Sequence, residues 1–181
     1  MKENTTYLEA LVDAIHFTYK ESLQSQNYFG ITNGRERSMV FRIAHHLAED
    51  IEKHGAFVDI EPTRCEGGVK RKPQTKRDSE GNPIIPDLII HKRIDTGFVA
   101  VEFKCYRNKR EWQKDFDKLK CLTVPKKLRE NNNSSTPHYE LGVFVYLTNN
   151  KDDIQIRIYE NGEIVTEKYP YSKILKGFKY A

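Results

Sequence analysis

The sequence is short of the features that mark several large classes of protein. It has no apolar run long enough to span a bilayer; its longest hydrophobic stretches are strand-sized. Its N-terminus, Met1-Lys2-Glu3-Asn4-Thr5-Thr6, has no basic segment followed by an apolar one, so no secretory signal is expected. Cysteine is scarce: Cys65, Cys105 and Cys121 are odd in number and widely spaced, which speaks against a disulfide scaffold and for a reducing, cytoplasmic setting. There is no internal repeat, and the one biased tract, Asn131-Asn132-Asn133-Ser134-Ser135, reads as a loop. Gly67-Gly68-Val69-Lys70 lacks the spacing and the final Ser/Thr of a phosphate-binding P-loop. His45 and His46 are helical neighbours about 100° apart and do not chelate together. His46 and Asp50 stand at i and i+4, but a solvated helix face explains them more simply. Cys105 reads as a buried strand-end cysteine, with no Cys–His motif to make it a nucleophile.

What is present is a chain of 181 residues, 38% hydrophobic and 31% charged, which suits a single domain over 1–181 with its own core. The net charge of +4 is modest, but it is unevenly spread. Lys70, Arg71, Lys72, Lys76 and Arg77 fall within nine residues that contain no acid. From Lys104 to Arg129, ten basic residues face three acidic ones. A charge run alone reads first as a solvated face; two of them in one small domain suit a polyanionic partner.

The hydrophobic pattern gives the order of elements. Leu8, Leu11, Ile15, Thr18 and Ser22 share one face of a helix over 5–24. Val40, Ile43, Leu47 and Ile51 form a stripe on a second helix over 35–54, which stops before Gly55. Residues 56–60 read as a strand, followed by the basic loop. Leu88-Ile89-Ile90 and Phe98-Val99-Ala100-Val101 read as a hairpin, residues 109–121 as a helix with Trp112, Phe116 and Leu119 on one side. Residues 141–147 form an apolar strand buried on both faces, and 154–158 alternate. Glu160-Asn161-Gly162 turns into Ile164-Val165, and a short helix ends the chain. The fold class is mixed α/β: helix, helix, three strands, helix, strand, terminal hairpin, short helix. The third strand, the helix after it and the next strand form a parallel crossover unit.

Within that pattern, charges stand where a strand is otherwise apolar: Pro86-Asp87, then Glu102-Phe103-Lys104. If Asp87 pairs across from Glu102, Lys92 pairs with Gly97, and 93–96 is a four-residue loop. Directly opposed residues share a face, with Cβ atoms about 5 Å apart, and Glu102 and Lys104 share it too. Val99, Val101 and Phe103 then point into the core. Two adjacent carboxylates repel unless a cation joins them, and oxygen-only ligands favour Mg²⁺ or Mn²⁺. Such an ion binds a phosphate oxygen and acidifies a bound water; Lys104 would orient or help deprotonate that water and balance developing charge. A surface ion pair is the competing reading, against which the apolar flanks argue.

Pro86-Asp87, a gap, then Glu102-Phe103-Lys104 resembles the signature of the PD-(D/E)XK nuclease superfamily, the restriction-endonuclease-like fold. The resemblance covers roughly 35–148, leaving an extra N-terminal helix and a C-terminal hairpin and short helix as additions. It implies Mg²⁺-dependent hydrolysis of DNA, with Asp87 and Glu102 as metal ligands, the Phe103 backbone carbonyl assisting and Lys104 catalytic. An acidic residue on the first core helix reaches the metal in some members, a position that Glu36 fits. Asn33-Gly34-Arg35-Glu36 is equally a capping box, so both roles are open for Glu36.

Arg64 ends the first strand, and Tyr106, Arg107 and Lys109 follow the motif directly. With Lys70, Arg71, Lys72, Lys76 and Arg77 they are the candidate phosphate contacts, each competing with ordinary surface. Gln74 and Thr75 are candidates for base contacts. The rival functions are a non-catalytic nucleic-acid-binding or scaffold protein on the same fold and an RNA-directed nuclease. With no second domain for recognition, the options left open are weak specificity, recognition of nucleic-acid structure, a homodimer, or a partner subunit.

Overall fold

A computed structural model describes residues 2–24, 36–60, 65–66, 69–70, 84–93, 96–105, 112–125, 138–148, 153–165 and 179–180. Among these residues there are three helices and nine strands: α1 Lys2–Gln24, α2 Glu36–Lys53, β1 Phe57–Ile60, β2 Cys65–Glu66, β3 Val69–Lys70, β4 Leu88–Arg93, β5 Thr96–Cys105, α3 Trp112–Thr123, β6 Tyr139–Leu147, β7 Gln155–Glu160, β8 Glu163–Ile164 and β9 Lys179–Tyr180. No helix among them is long and apolar enough to cross a membrane.

The main sheet is mixed and seven-stranded, in the order β1-β4-β5-β6-β7-β8 with β9 also against β7. The β4–β5 pair is antiparallel, and β5 and β6 run parallel across the α3 crossover. The helical stripes read from sequence are the buried ones: Leu8, Leu11, Ile15, Thr18 and Ser22 on α1, and Val40, Ile43, Leu47 and Ile51 on α2. Both helices pack on one face of the sheet, against Leu88, Ile90, Val99, Val101, Phe103 and the inward residues of β6 and β7. On the other face α3 sets Leu119 and Leu122 against Ile89, Ala100, Phe144, Tyr146 and Tyr159. Burial on both faces explains why β6 reads as a continuous apolar run.

Local chemistry ends the elements where it was expected to. Gly55 has φ +68 and closes α2: its N–H donates to Glu52 O while Ala56 N donates back to Ile51 O, the paired bonds of a Schellman motif. Asn161 and Gly162 both have positive φ, which a two-residue turn between β7 and β8 requires.

Three expectations need correction. The hairpin register holds where Leu88 pairs with Val101 and Ile90 with Val99, but the ladder ends there: the expected Asp87–Glu102 pair is not formed, and the Asp87 side chain accepts from Phe103 N instead. Nearer the tip His91, not Lys92, lies opposite Gly97, because β5 carries an irregularity between these pairs. Arg93 then pairs with Thr96, so both ends of the expected 93–96 loop are strand, while Ile94 and Asp95 lie outside the described residues. The region read only as a basic loop contains the short β2–β3 pair, Cys65 opposite Lys70 and Glu66 opposite Val69. The helix expected over 109–121 is described from Trp112 and runs on to Thr123. The expected C-terminal short helix lies outside the described residues, beyond which Lys179–Tyr180 adds a strand.

Candidate metal and phosphodiester site

The candidate site forms where β5 outruns its antiparallel partner. The last β4–β5 pair is Leu88 with Val101, yet β5 continues to Cys105, paired on its other side with β6 as far as Leu147. Phe103 and Cys105 are two apart, so their N–H groups point to the same strand edge, the one β4 has left. Carboxylates replace the missing strand. Asp87 Oδ2 accepts from Phe103 N at 2.8 Å, and Glu36 Oε2 accepts from Cys105 N at 3.2 Å. The second contact places Glu36 at the motif strand, as the metal-site reading of that residue requires. Asn33, its partner in the capping box, lies outside the described residues.

Glu102 and Lys104 project from β5 toward α3, and α3 answers each with an opposite charge. Lys118 Nζ donates to Glu102 Oε2 at 2.9 Å and to Ile85 O at 3.1 Å. Lys104 Nζ stands 3.2 Å from Asp115 Oδ2. Asp115 and Lys118 went unnoticed in the sequence, where they sat among basic residues. Their signal was position: Asp115 is three residues after Trp112 and four before Leu119, on the buried stripe of the helix.

The electrostatics are strained. Glu102 is only 1% exposed. Burial drives its carboxyl well above the usual range, Asp87 adds to the shift, and Lys118 only partly offsets it. Burial likewise raises Glu36 and Asp115, in both cases against the pull of Lys104. Burial pulls Lys104 down, but Asp115, Glu36 and Asp87 outweigh it, so its ammonium is held more firmly charged than a free lysine. Cys105 is a buried strand-end thiol pushed up to about 12 by burial and by Glu36, which removes it as a nucleophile.

The raised acids set a pH dependence. A carboxyl whose folded pKa lies above its unfolded value contributes fully below the unfolded value, and the contribution is lost as pH rises through the folded one. Lys104, raised above 10.5, loses its contribution only in strong alkali. In EDTA, the melting temperature is therefore expected to fall as pH rises above the ordinary carboxylate range. Glu102→Gln should make that fall shallower; equal slopes would remove Glu102 from the account.

Glu102 Oε1 is buried without a hydrogen-bond partner among the described residues. An unpartnered carboxylate oxygen beside a second acid is chemically suited to a hard divalent cation. As placed, however, Asp87, Glu102 and Glu36 each engage a protein donor. No group of three His, Cys, Asp or Glu side chains among the described residues is gathered as a ligand set.

A cleft of about 390 Å³ is lined by Glu36, Arg37, Val40, Phe41, Ile60 and Asp87; it reaches the two edge carboxylates, and neither Glu102 nor Lys104 lines it. His46 bonds Glu21 at 3.0 Å and Asp50 pairs with Lys53 at 3.0 Å, so the i, i+4 histidine–aspartate pair is not used as a site. Arg64, Arg71, Lys72, Gln74, Thr75, Lys76, Arg77, Tyr106, Arg107 and Lys109 lie outside the described residues, and Lys70 is described only as part of β3. No family model, no curated protein and no solved structure matches this chain.

Proposed function

We propose that the chain is a divalent-metal-dependent nuclease that hydrolyses phosphodiester bonds of DNA on a restriction-endonuclease-like core. The observation that carries this reading is Glu102: a buried carboxylate with one oxygen that has no hydrogen-bond partner among the described residues, beside Asp87 and on the same strand face as Lys104. A solvated ion pair has no reason to bury an acid against another acid.

Asp87 and Glu102 would hold Mg²⁺ or Mn²⁺ with help from the Phe103 carbonyl, and Glu36 stands at the edge of the same place. When bound, the ion supplies Lewis-acid activation of a phosphate oxygen and of a water. The chain's own groups do the rest. Lys104, kept charged by Asp115, donates to the attacking water and to the charge growing on the phosphate, and is therefore an orienting ammonium, not a base. Lys118 holds Glu102 in its rotamer from the α3 side. The basic segments flanking the motif are the proposed phosphate contacts, in a reducing cytoplasm or with a second copy or partner subunit.

The test is an assay with Mg²⁺ or Mn²⁺ on circular plasmid, linear duplex, single-stranded and branched DNA, and RNA. EDTA-sensitive cleavage of DNA is expected. No cleavage of any DNA would overturn the proposal, and cleavage of RNA alone would move it to an RNA-directed nuclease.

The second reading is a nucleic-acid-binding protein on the same scaffold without catalysis. It draws on the donor that each of the three carboxylates already has within the protein. Calorimetry with Mn²⁺ separates the two: heat of binding that disappears in Asp87→Ala favours the nuclease, and its absence favours the binder.

A further inference from the structure

Phe41 is 65% exposed, the most exposed of the large hydrophobic side chains described, and it lies in the cleft that holds Glu36 and Asp87. A second cleft, about 570 Å³, runs on from the first along α2, and Arg37 and Phe41 line both. The second is completed by Ser38, Arg42, His45 and His46 of α2 and Glu21 of α1. Arg37, Phe41 and His45 stand at i, i+4 and i+8, so they form one stripe of the helix, about 12 Å long. Phe17, 56% exposed, continues the aromatic surface at the far end, its ring 6.0 Å from that of His46. Glu21 is the single acid in the second cleft and is engaged by His46 at 3.0 Å and Arg42 at 3.5 Å.

Basic side chains interleaved with exposed aromatic rings make a surface for an unpaired strand. The cations follow phosphates and the rings stack on bases that a duplex keeps covered. A duplex keeps its base faces stacked, so a protruding phenyl ring meets only a groove-edge methyl or must unstack a step at a cost of a few kcal/mol. We propose that this face of α2 binds single-stranded DNA and leads it to Asp87, Glu102 and Lys104, with a base stacked on Phe41. This rests on the nuclease reading for its direction, and it names that site's substrate as an unpaired strand.

The test is fluorescence anisotropy on the full chain in EDTA, so that binding is read without cleavage. The probes are labelled oligo(dT), a duplex of equal length and oligo(U). Oligo(dT) is expected to bind at least tenfold more tightly than the duplex. Phe41→Ala should weaken oligo(dT) binding about tenfold and leave duplex binding unchanged, in line with the loss of one stacked base. Phe41→Trp should restore it with quenching of indole fluorescence. Phe57→Ala, which removes an exposed ring on β1, should change nothing. Equal binding of single strand and duplex, an unaffected Phe41→Ala, or tenfold tighter binding of oligo(U) than of oligo(dT) would each overturn the inference. Single-strand binding that depends on Phe41 but is never followed by cleavage sinks the nuclease reading alone. Cleavage without single-strand preference sinks this inference alone.

Discussion

Glu102→Gln is expected to abolish metal-dependent cleavage while leaving the protein folded and slightly more stable. The carboxylate is proposed as a ligand whose charge an amide lacks, so the rate should fall by about a thousandfold or more, roughly 4 kcal/mol in activation free energy. Stability should move the other way. Ionised Glu102 is buried beside Asp87, and Lys118 offsets only part of that penalty. The amide removes the charge and keeps the shape. Lys118 is 23% exposed and can turn its ammonium to water when its partner is neutral, so it is not stranded. A gain of about 1 kcal/mol, or 2–4 °C in melting temperature for a chain of this size, is the scale expected. Single-turnover cleavage and thermal melts in EDTA measure the two halves. Cleavage at more than a tenth of the parent rate would remove Glu102 from the chemistry. A loss of melting temperature would show that the Glu102–Lys118 pair stabilises the fold instead of straining it.

Phe103→Ala should have the largest effect on folding. Phe103 lies between the two motif charges in sequence but on the opposite face, fully buried between the sheet and the α1/α2 layer. Truncating a buried phenyl ring in a central strand costs about 3–5 kcal/mol, against a total of about 5–15 kcal/mol for a domain. Phe57→Ala, at a ring 53% exposed on β1, should stay within about 0.5 kcal/mol. Urea unfolding of both variants checks the contrast. A small loss at Phe103 would mean that the alternation of faces along β5 has been misassigned. Because this change also removes activity by unfolding, activity data at Phe103 carry no information on its backbone carbonyl.

The alternation itself was readable from sequence, because a strand has a period of two and one wrong step would have buried three charges in the larger core. The register at the hairpin base followed from the same rule. The tip did not, because an irregularity is decided by packing at one residue: Phe98 joins the α1/α2 core with Tyr7, its ring 5.1 Å away, alongside its neighbour Val99. The partners on α3 were also hidden. Charge counting placed Asp115 and Lys118 in a basic run suited to a polyanionic partner. In three dimensions this acid and this base are spent on Lys104 and Glu102. A helix period shows which residues face the sheet but not which strand charge each one meets. Glu36 was ambiguous in sequence for a related reason: a cap is a local contact, whereas its bond to Cys105 spans 69 positions.

The two carboxylates that finish the edge of β5 give the site a readout of its own. Asp87 and Glu36 each hold one named backbone proton, that of Phe103 and that of Cys105. A cation drawing either carboxylate away loosens its amide, and protonation of either acid weakens the acceptor. In a nuclear magnetic resonance spectrum the Phe103 and Cys105 amide signals therefore behave as two separate natural probes. One reports on the acid from the hairpin and the other on the acid from the helix, and together they give the order in which the two engage a metal.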